Sequence, residues 1–119
     1  WNQKMQEYLQ ITPADDAEGI LQDMHWSDGS FGYFPSYLLG SIYDGMYLDS
    51  MEEELGSVDT LLAEGRIGEI TKWLNEKIHW YGSTRSPKEV IGNVCGKEVS
   101  AESLIRYFKE KYTKVYNLD

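Results

Sequence analysis

The sequence predicts an all-α fold, with residues 1–119 forming a single helical domain. Apolar residues recur every three or four positions along most of the chain, and aromatic residues make up 13% of it. No segment alternates apolar and polar residues for long enough to predict a strand. A chain of this length can bury roughly two-thirds of the surface that its unfolded form exposes. We therefore expect a bundle-like arrangement of helices around one core.

The first third of the chain is predicted to contain two helices and a loop. Apolar spacing predicts a helix over residues 2–10, and Pro13 follows it as a stop signal. A short helix is predicted over residues 17–24, because its apolar residues also repeat at three and four positions. A loop is predicted over residues 26–32, where two glycines allow the backbone to turn tightly.

A long helix is predicted from Pro35 to about Leu55. Proline suits the first turn of a helix, and apolar residues then continue along one stripe. Gly40 and Gly45 lie inside this helix, where a glycine costs about 1 kcal/mol relative to alanine. We therefore expect another helix to pack closely against both glycines.

Further helices are predicted from Ser57 to Leu62, from Ile67 towards Gly82, from Ser86 to Gly96 and from Ser100 through Val115. The helix after Ser86 has the clearest start, because serine, proline and glutamate follow the capping-box pattern. The last helix is expected to turn an apolar face inward, formed by Leu104, Tyr107, Phe108, Tyr112 and Val115. The four methionines are expected in the core: Met5, Met24, Met46 and Met51.

Composition excludes several classes of partner. Acidic residues outnumber basic residues by 20 to 11, and the net charge of -9 would repel nucleic acid and an anionic membrane surface. No apolar run approaches the roughly 20 residues that span a bilayer. The single cysteine, Cys95, permits no internal disulfide and suits the cytoplasm. The chain begins at Trp1, already in a helical pattern, which we interpret as a cut inside a larger protein.

Residues 19–26, with the form G-x-x-Q-D-x-H-W, combine more polar chemistry than an ordinary core segment. On a helix, Gln22 would share a face with His25 and with Trp26, so that an amide, an imidazole and an indole converge. Asp23 would point elsewhere, where it could orient a neighbour or cap the following loop. The segment directly precedes the glycine-containing loop, and we therefore regard it as the candidate site.

This segment resembles a signature of the carboxypeptidase Taq family. The match continues through residues 31–35, and three later blocks, residues 73–79, 86–91 and 107–112, resemble the C-terminal end of the same family. The resemblance implies zinc-dependent exopeptidases that release single residues from peptide C-termini. It also implies a larger, mostly helical metallopeptidase fold, of which this chain would be the C-terminal portion. Peptide substrates, the missing N-terminal part of the same enzyme and a second copy in a homodimer are the partners that it implies.

The metal site of that family has no counterpart in this sequence. Family members hold zinc on an H-E-x-x-H helix, whereas the histidines here, His25 and His79, are far apart and in no ligand pattern. We therefore expect zinc in the full-length enzyme only, no metal ligands among these residues and no zinc bound to this fragment. The fragment alone is expected to be inactive.

The resemblance implies that residues 19–26 line the active-site groove. Our hypothesis is that His25 donates a hydrogen bond to the peptide carbonyl or the developing oxyanion, with Tyr33 as the second catalytic candidate. Gln22, Asp23 and Trp26 would bind substrate or support the histidine. Ordinary roles stay open, namely a hydrogen-bonded core histidine and a tyrosine that only packs. The alternative for the whole chain is a non-catalytic helical interaction module.

Overall fold

The computed structural model describes residues 1–118, and within that range it contains helices and turns but no strand. The predicted all-α class is therefore confirmed. The α-helices are α1 (Asn2–Leu9), α2 (Pro35–Leu55), α3 (Val58–Ala63), α4 (Ile67–Lys77), α5 (Pro87–Cys95) and α6 (Glu102–Tyr116). Short 3-10 turns cover Ile20–Gln22, Met24–Trp26 and His79–Tyr81. No helix in the described range is long and apolar enough to cross a bilayer.

The predicted helix over residues 17–24 is wrong. Gly19 has φ -113° and ψ -117°, and Asp23 is extended between two 3-10 turns, so the backbone leaves the helical region twice. The aspartate side chain bonds to the backbone ahead of it, which offers the chain an alternative to a continuous helix. Turn chemistry therefore overrides the apolar spacing in this segment.

The start of α5 is as predicted. The Ser86 backbone N–H donates to a carboxylate oxygen of Glu89 at 2.8 Å, and the Glu89 backbone N–H donates to the Ser86 hydroxyl at 3.3 Å. Pro87 occupies the first turn, where its missing N–H loses no hydrogen bond. Each signal acts within four residues, so the sequence alone places this boundary.

The chain divides into two compact units, Trp1–Tyr37 and the residues from Leu38 onward. The expectation of one domain over residues 1–119 stays a prediction. The second unit has an apolar core contributed by α2 to α6, in which these side chains are buried: Met46, Met51, Leu61, Trp73, Val90, Ile91 and Leu104. Two of the four methionines thus lie in the core as predicted. Met24 does not, because its side chain is 77% exposed, and Met5 is half-buried.

The close approach predicted at the glycines of α2 exists at one of them. A Cβ atom on Gly45 would lie 2.8 Å from the backbone nitrogen of Leu104, so α6 packs directly on the α2 backbone there. Gly40 has open space within 4 Å, and the prediction is wrong for that position within the described chain. Only Gly45 is therefore required by helix packing here.

A polar contact also joins α2 to α6. Asp49 accepts hydrogen bonds from the Ser103 hydroxyl, at 2.6 Å, and from the Arg106 guanidinium. Burial opposes the ionised carboxyl, but these two hydrogen bonds outweigh it and hold the pKa of Asp49 below its ordinary value. The contact therefore favours the charged carboxylate.

The apolar face of α6 is only partly covered. Leu104 is buried, but the other members of the predicted inward face are between 38% and 59% exposed, namely Tyr107, Phe108, Tyr112 and Val115. For these four residues the predicted burial is wrong within this chain. Periodicity identifies which face of a helix is apolar, but it does not show whether the same chain covers that face.

Candidate functional site

The predicted site residues lie in the first unit, in the turns that precede α2. Asp23 caps the Met24–Trp26 turn, because its carboxylate accepts a hydrogen bond from the His25 backbone N–H at 2.9 Å. Gly19 allows tight packing one turn earlier, where a Cβ atom would come within 3.1 Å of the side chains of Pro13 and Trp1. Local structure therefore accounts for both Gly19 and Asp23 of the motif.

The same carboxylate oxygen that caps the turn also contacts the imidazole. Nδ1 of His25 lies 2.7 Å from Oδ1 of Asp23, and the two side chains are 23% and 26% exposed. The hydrogen bonds from the backbone and the ring of His25 lower the pKa of Asp23. The ring is thus held by an ionised carboxylate on its own turn. Asp23 does orient a neighbour, as the sequence suggested, but it caps the Met24–Trp26 turn rather than the loop predicted after it.

The other ring nitrogen of His25 is available. Within residues 1–118, Nε2 has no hydrogen-bond partner. The His25 side chain is 23% exposed, and its Nε2 is not among the buried, unpaired polar atoms of the described residues. This exposure argues against a fully hydrogen-bonded core histidine.

Three aromatic rings surround the imidazole. Ring centroids lie 5.5 Å from His25 for Tyr33, 5.3 Å for Phe34 and 5.8 Å for Tyr37. Tyr33 and Tyr37 meet edge to face at 5.6 Å, a favourable geometry for aromatic pairs. The structure therefore brings together the two predicted catalytic candidates. Phe34 and Tyr37 were not predicted as site residues, although their spacing of three residues across the start of α2 could have indicated them.

The loop between histidine and tyrosine turns the chain back on itself. The Ser30 backbone N–H donates to the His25 carbonyl at 2.8 Å and to the Asp28 carboxylate at 2.9 Å. Gly29 has φ 84° and Gly32 has φ 75°, in the left-handed region that favours glycine. These turns return the chain so that Tyr33 lies beside the imidazole.

The predicted convergence of Gln22, His25 and Trp26 on one helical face is wrong, because residues 19–26 do not form an α-helix. The Gln22 amide instead donates to the Ala17 carbonyl, and the Trp26 side chain is 46% exposed. Roles in substrate binding for Gln22, Asp23 and Trp26 stay predictions. Of these three residues, Asp23 is the one whose side chain bonds to His25.

Residues 1–118 do not fit a zinc site. In the part of the chain that the structure describes, no three His, Cys, Asp or Glu side chains lie together as metal ligands would. His79, the other histidine, has Nδ1 2.9 Å from the side-chain oxygen of Asn75. What the site does offer is an imidazole with one fixed nitrogen and one available nitrogen, beside a phenol. Such groups can donate hydrogen bonds to an oxygen that gains negative charge.

Comparison with known proteins identifies the family. The model of the carboxypeptidase Taq (M32) metallopeptidases matches residues 1–112. Carboxypeptidase 1 of Bacillus subtilis is 48% identical over 118 residues, which are 99% of this chain and 24% of that protein. Thermostable carboxypeptidase 1 of Pyrococcus furiosus is 38% identical over 94% of this chain and 22% of its own length. The chain therefore spans about a quarter of the length of the curated relatives that it matches.

Solved structures agree with this result. A crystal structure described as BsuCP superposes with a TM-score of 0.85 at 47% identity, over 96% of this chain and 23% of that chain. A structure described as CHT gives a TM-score of 0.88 at 32% identity, over 94% and 23% respectively. These matches support the peptidase interpretation and not the interaction module. The chain belongs to the carboxypeptidase Taq (M32) metallopeptidase family.

Proposed function

We propose that the complete protein containing this chain is a zinc-dependent carboxypeptidase that releases single amino acids from peptide C-termini. The observation that carries the proposal is the family match over residues 1–112, together with relatives that are named carboxypeptidases. Zinc would be bound by the remainder of the protein, because residues 1–118 offer no ligand cluster. When bound, such a metal polarises a carbonyl and activates water. We accordingly expect the isolated chain to be inactive.

Within that enzyme, His25 and Tyr33 would contact the peptide carbonyl as it becomes an oxyanion. Support comes from the available Nε2 atom of His25 and from the Tyr33 ring, whose centroid lies 5.5 Å from that of the imidazole. Donors fixed in advance stabilise the transition state more than the ground state, because they need no rearrangement as charge develops. Asp23 would support the histidine, and Gln22 and Trp26 would line the groove.

The histidine role is tested in the complete, zinc-loaded protein with His25→Gln. We expect kcat to fall about 100-fold with little change in KM, because the lost contact forms in the transition state. His79→Gln is the matched control, since that ring contacts Asn75 and lies outside the candidate site. Equal rates for His25→Gln and the unsubstituted enzyme, at full zinc content, would refute the role.

The tyrosine role is tested with Tyr33→Phe, which removes the phenol but keeps the ring that packs on His25. We expect kcat to fall at least about tenfold if the hydroxyl donates to the oxyanion. Tyr43→Phe, on α2, makes the same chemical change at a tyrosine whose ring is not one of the three beside His25. Similar rates for both variants would leave Tyr33 with a packing role only.

The complete protein is further expected to act in the cytoplasm and as a homodimer. One cysteine in these residues suits a reducing compartment, and the partly exposed aromatic face of α6 offers surface that another part of the protein or a second copy could cover. Light scattering coupled to gel filtration of the complete protein would measure its mass. A monomeric mass at working concentrations would contradict the dimer.

A further inference from the structure

The aromatic residues of α6 form a continuous row along the helix. The ring centroids are 5.8 Å apart in each of three successive pairs: Tyr107 and Phe108, Phe108 and Tyr112, and Tyr112 and Tyr116. Leu104, one turn before Phe108, is buried where α6 packs on α2, whereas these four aromatic residues are between 38% and 66% exposed. The apolar side of α6 therefore continues beyond the part that α2 covers.

Two open cavities lie against this row and share lining residues. One has a volume of about 330 Å³ and the other of about 550 Å³, and both are lined by Leu48 of α2 and Tyr107 of α6. The larger cavity is also lined by Val58 of α3 and Val115 of α6. Because the two cavities meet at Leu48 and Tyr107, they form one groove between α2, α3 and α6, which we call the α6 groove. All of its lining residues belong to the second unit.

The lining of the α6 groove indicates which kind of segment would fit it. Leu48, Phe108 and Val115 provide apolar surface. Charged side chains of both signs line the larger cavity as well: Glu52, Asp59, Glu110, Lys111 and Lys114. From Leu104 to Val115, α6 rises about 17 Å, or about three helical turns. An amphipathic helix of that length, with apolar residues at intervals of three and four and charged residues beside them, matches such a groove.

The exposed aromatic row is small for a contact between separate proteins. An aromatic side chain presents about 150–250 Å² when fully exposed, so the four partly exposed residues present roughly 300–450 Å². A stable interface between separate proteins buries about 800 Å² on each partner. A segment of the same polypeptide needs less contact area, because its covalent link removes much of the entropy cost of association. The area therefore favours a covering segment from the same polypeptide over a second copy.

We propose that an amphipathic helix from the N-terminal part of the complete enzyme packs into the α6 groove. The proposal rests on the proposed function, which makes this chain one part of a longer polypeptide. This chain spans 24% and 22% of the length of two curated relatives, so the remaining length is ample to supply such a helix. The homodimer expected for the complete protein would then use a different surface.

Thiol labelling of the complete protein tests whether the groove is covered. Val115→Cys places a thiol in the groove. Thr113→Cys is the matched control, because threonine and valine have nearly the same shape and a shift of two positions is a rotation of about 200° around the helix. Both residues are exposed in residues 1–118, so without a cover both thiols would react readily.

The labelling rate of each variant is compared between the native protein and the same protein unfolded in urea, with the labelled peptide identified by mass spectrometry. We expect the thiol of Val115→Cys to react at least about 100-fold more slowly in the native protein, because it is reached only when the covering helix opens. The thiol of Thr113→Cys should react within about tenfold of its rate in urea. A native rate for Val115→Cys close to its rate in urea would overturn the proposal.

The mass of the complete protein shows what covers the groove. Val115→Lys places a charge at the covered position, and Thr113→Lys is its control. We expect Val115→Lys to lower the melting temperature by several degrees without changing the mass measured by light scattering. A change from dimer to monomer mass in Val115→Lys alone would show that a second copy covers the groove and would overturn the proposal. Val115→Ser, which adds no charge, replaces the lysine variant if that variant does not fold.

Peptide hydrolysis by the complete protein is measured separately. A protected thiol in Val115→Cys, in a protein whose unsubstituted form releases no amino acids from peptides, would support the packing proposal and contradict the proposed function. An active enzyme in which that thiol is unprotected would have the opposite meaning.

Discussion

Replacing Gly45 by alanine tests the close packing between α2 and α6. In an open helix position the change would stabilise the fold by about 1 kcal/mol, because alanine loses less backbone entropy than glycine. Here the new methyl group would meet the Leu104 backbone nitrogen at 2.8 Å and its Cα at 3.1 Å. Backbone atoms cannot rotate aside, so the two helices must separate. Such overpacking typically costs about 1–3 kcal/mol.

Gly40→Ala provides the matched comparison, since the same helix has open space within 4 Å of that position. The propensity gain is common to both variants, and the difference between them isolates the packing cost of about 1–3 kcal/mol. Urea unfolding of the 119-residue chain, followed by far-UV circular dichroism, would measure it. With a slope of about 1–2 kcal/mol per M, we expect the Gly45→Ala midpoint to lie roughly 1 M below that of Gly40→Ala. Equal midpoints, or a more stable Gly45→Ala, would refute the packing argument.

Three further predictions concern the polar contacts of the second unit. Ser86→Ala should destabilise the chain by about 1 kcal/mol in the same assay, because it removes the hydroxyl that caps the Glu89 backbone N–H, and a null result would contradict the capping role. Asp49→Asn should reduce the loss of stability that acidification causes between about pH 5 and about pH 3. The pKa of Asp49 is lower in the folded chain than in the unfolded chain, so its ionised carboxylate stabilises the fold at pH values above the unfolded-state pKa, and this contribution disappears as the group is protonated. An equal loss of stability on acidification in that variant and in the unsubstituted chain would show that the contact with Arg106 does not stabilise the fold. Lys77→Ala should change the free energy of unfolding by less than about 0.5 kcal/mol, because its ion pair with Glu54 of α2 is exposed to solvent. A larger loss would contradict the expectation that an exposed ion pair contributes little to stability.

Sequence predicts those parts of the fold whose causes are local. The boundary of α5 follows from a serine, a proline and a glutamate within four residues, and the structure contains each of the corresponding contacts. The course of α2 from Pro35 to Leu55 likewise follows from a proline start and a long segment rich in apolar residues. Sequence predicts less well which apolar side chains are buried. Met46 is buried against other helices, whereas Met24, equally apolar, lies in a turn and is exposed.

The candidate site shows the same limit. The motif identifies Asp23 and His25 as notable residues, but a helical interpretation directs them to different faces. The actual contact depends on an extended residue at position 23, which lets the carboxylate reach both the backbone and the ring of the histidine two positions later. Asp is known to favour such local capping over continued helix, and that preference is the signal that could have found the pair. The aromatic surroundings, by contrast, require the loop to fold back, which spacing alone does not show.

The groups that surround the imidazole come from one short stretch, positions 23 to 37. Bringing such near neighbours together closes only small loops, and the entropy cost of loop closure grows with loop length. The carboxylate, the ring and its aromatic neighbours can therefore gather as soon as this stretch leaves the ribosome, before α6 has been synthesised. In this part of the molecule, assembly of the chemistry need not wait for completion of the fold.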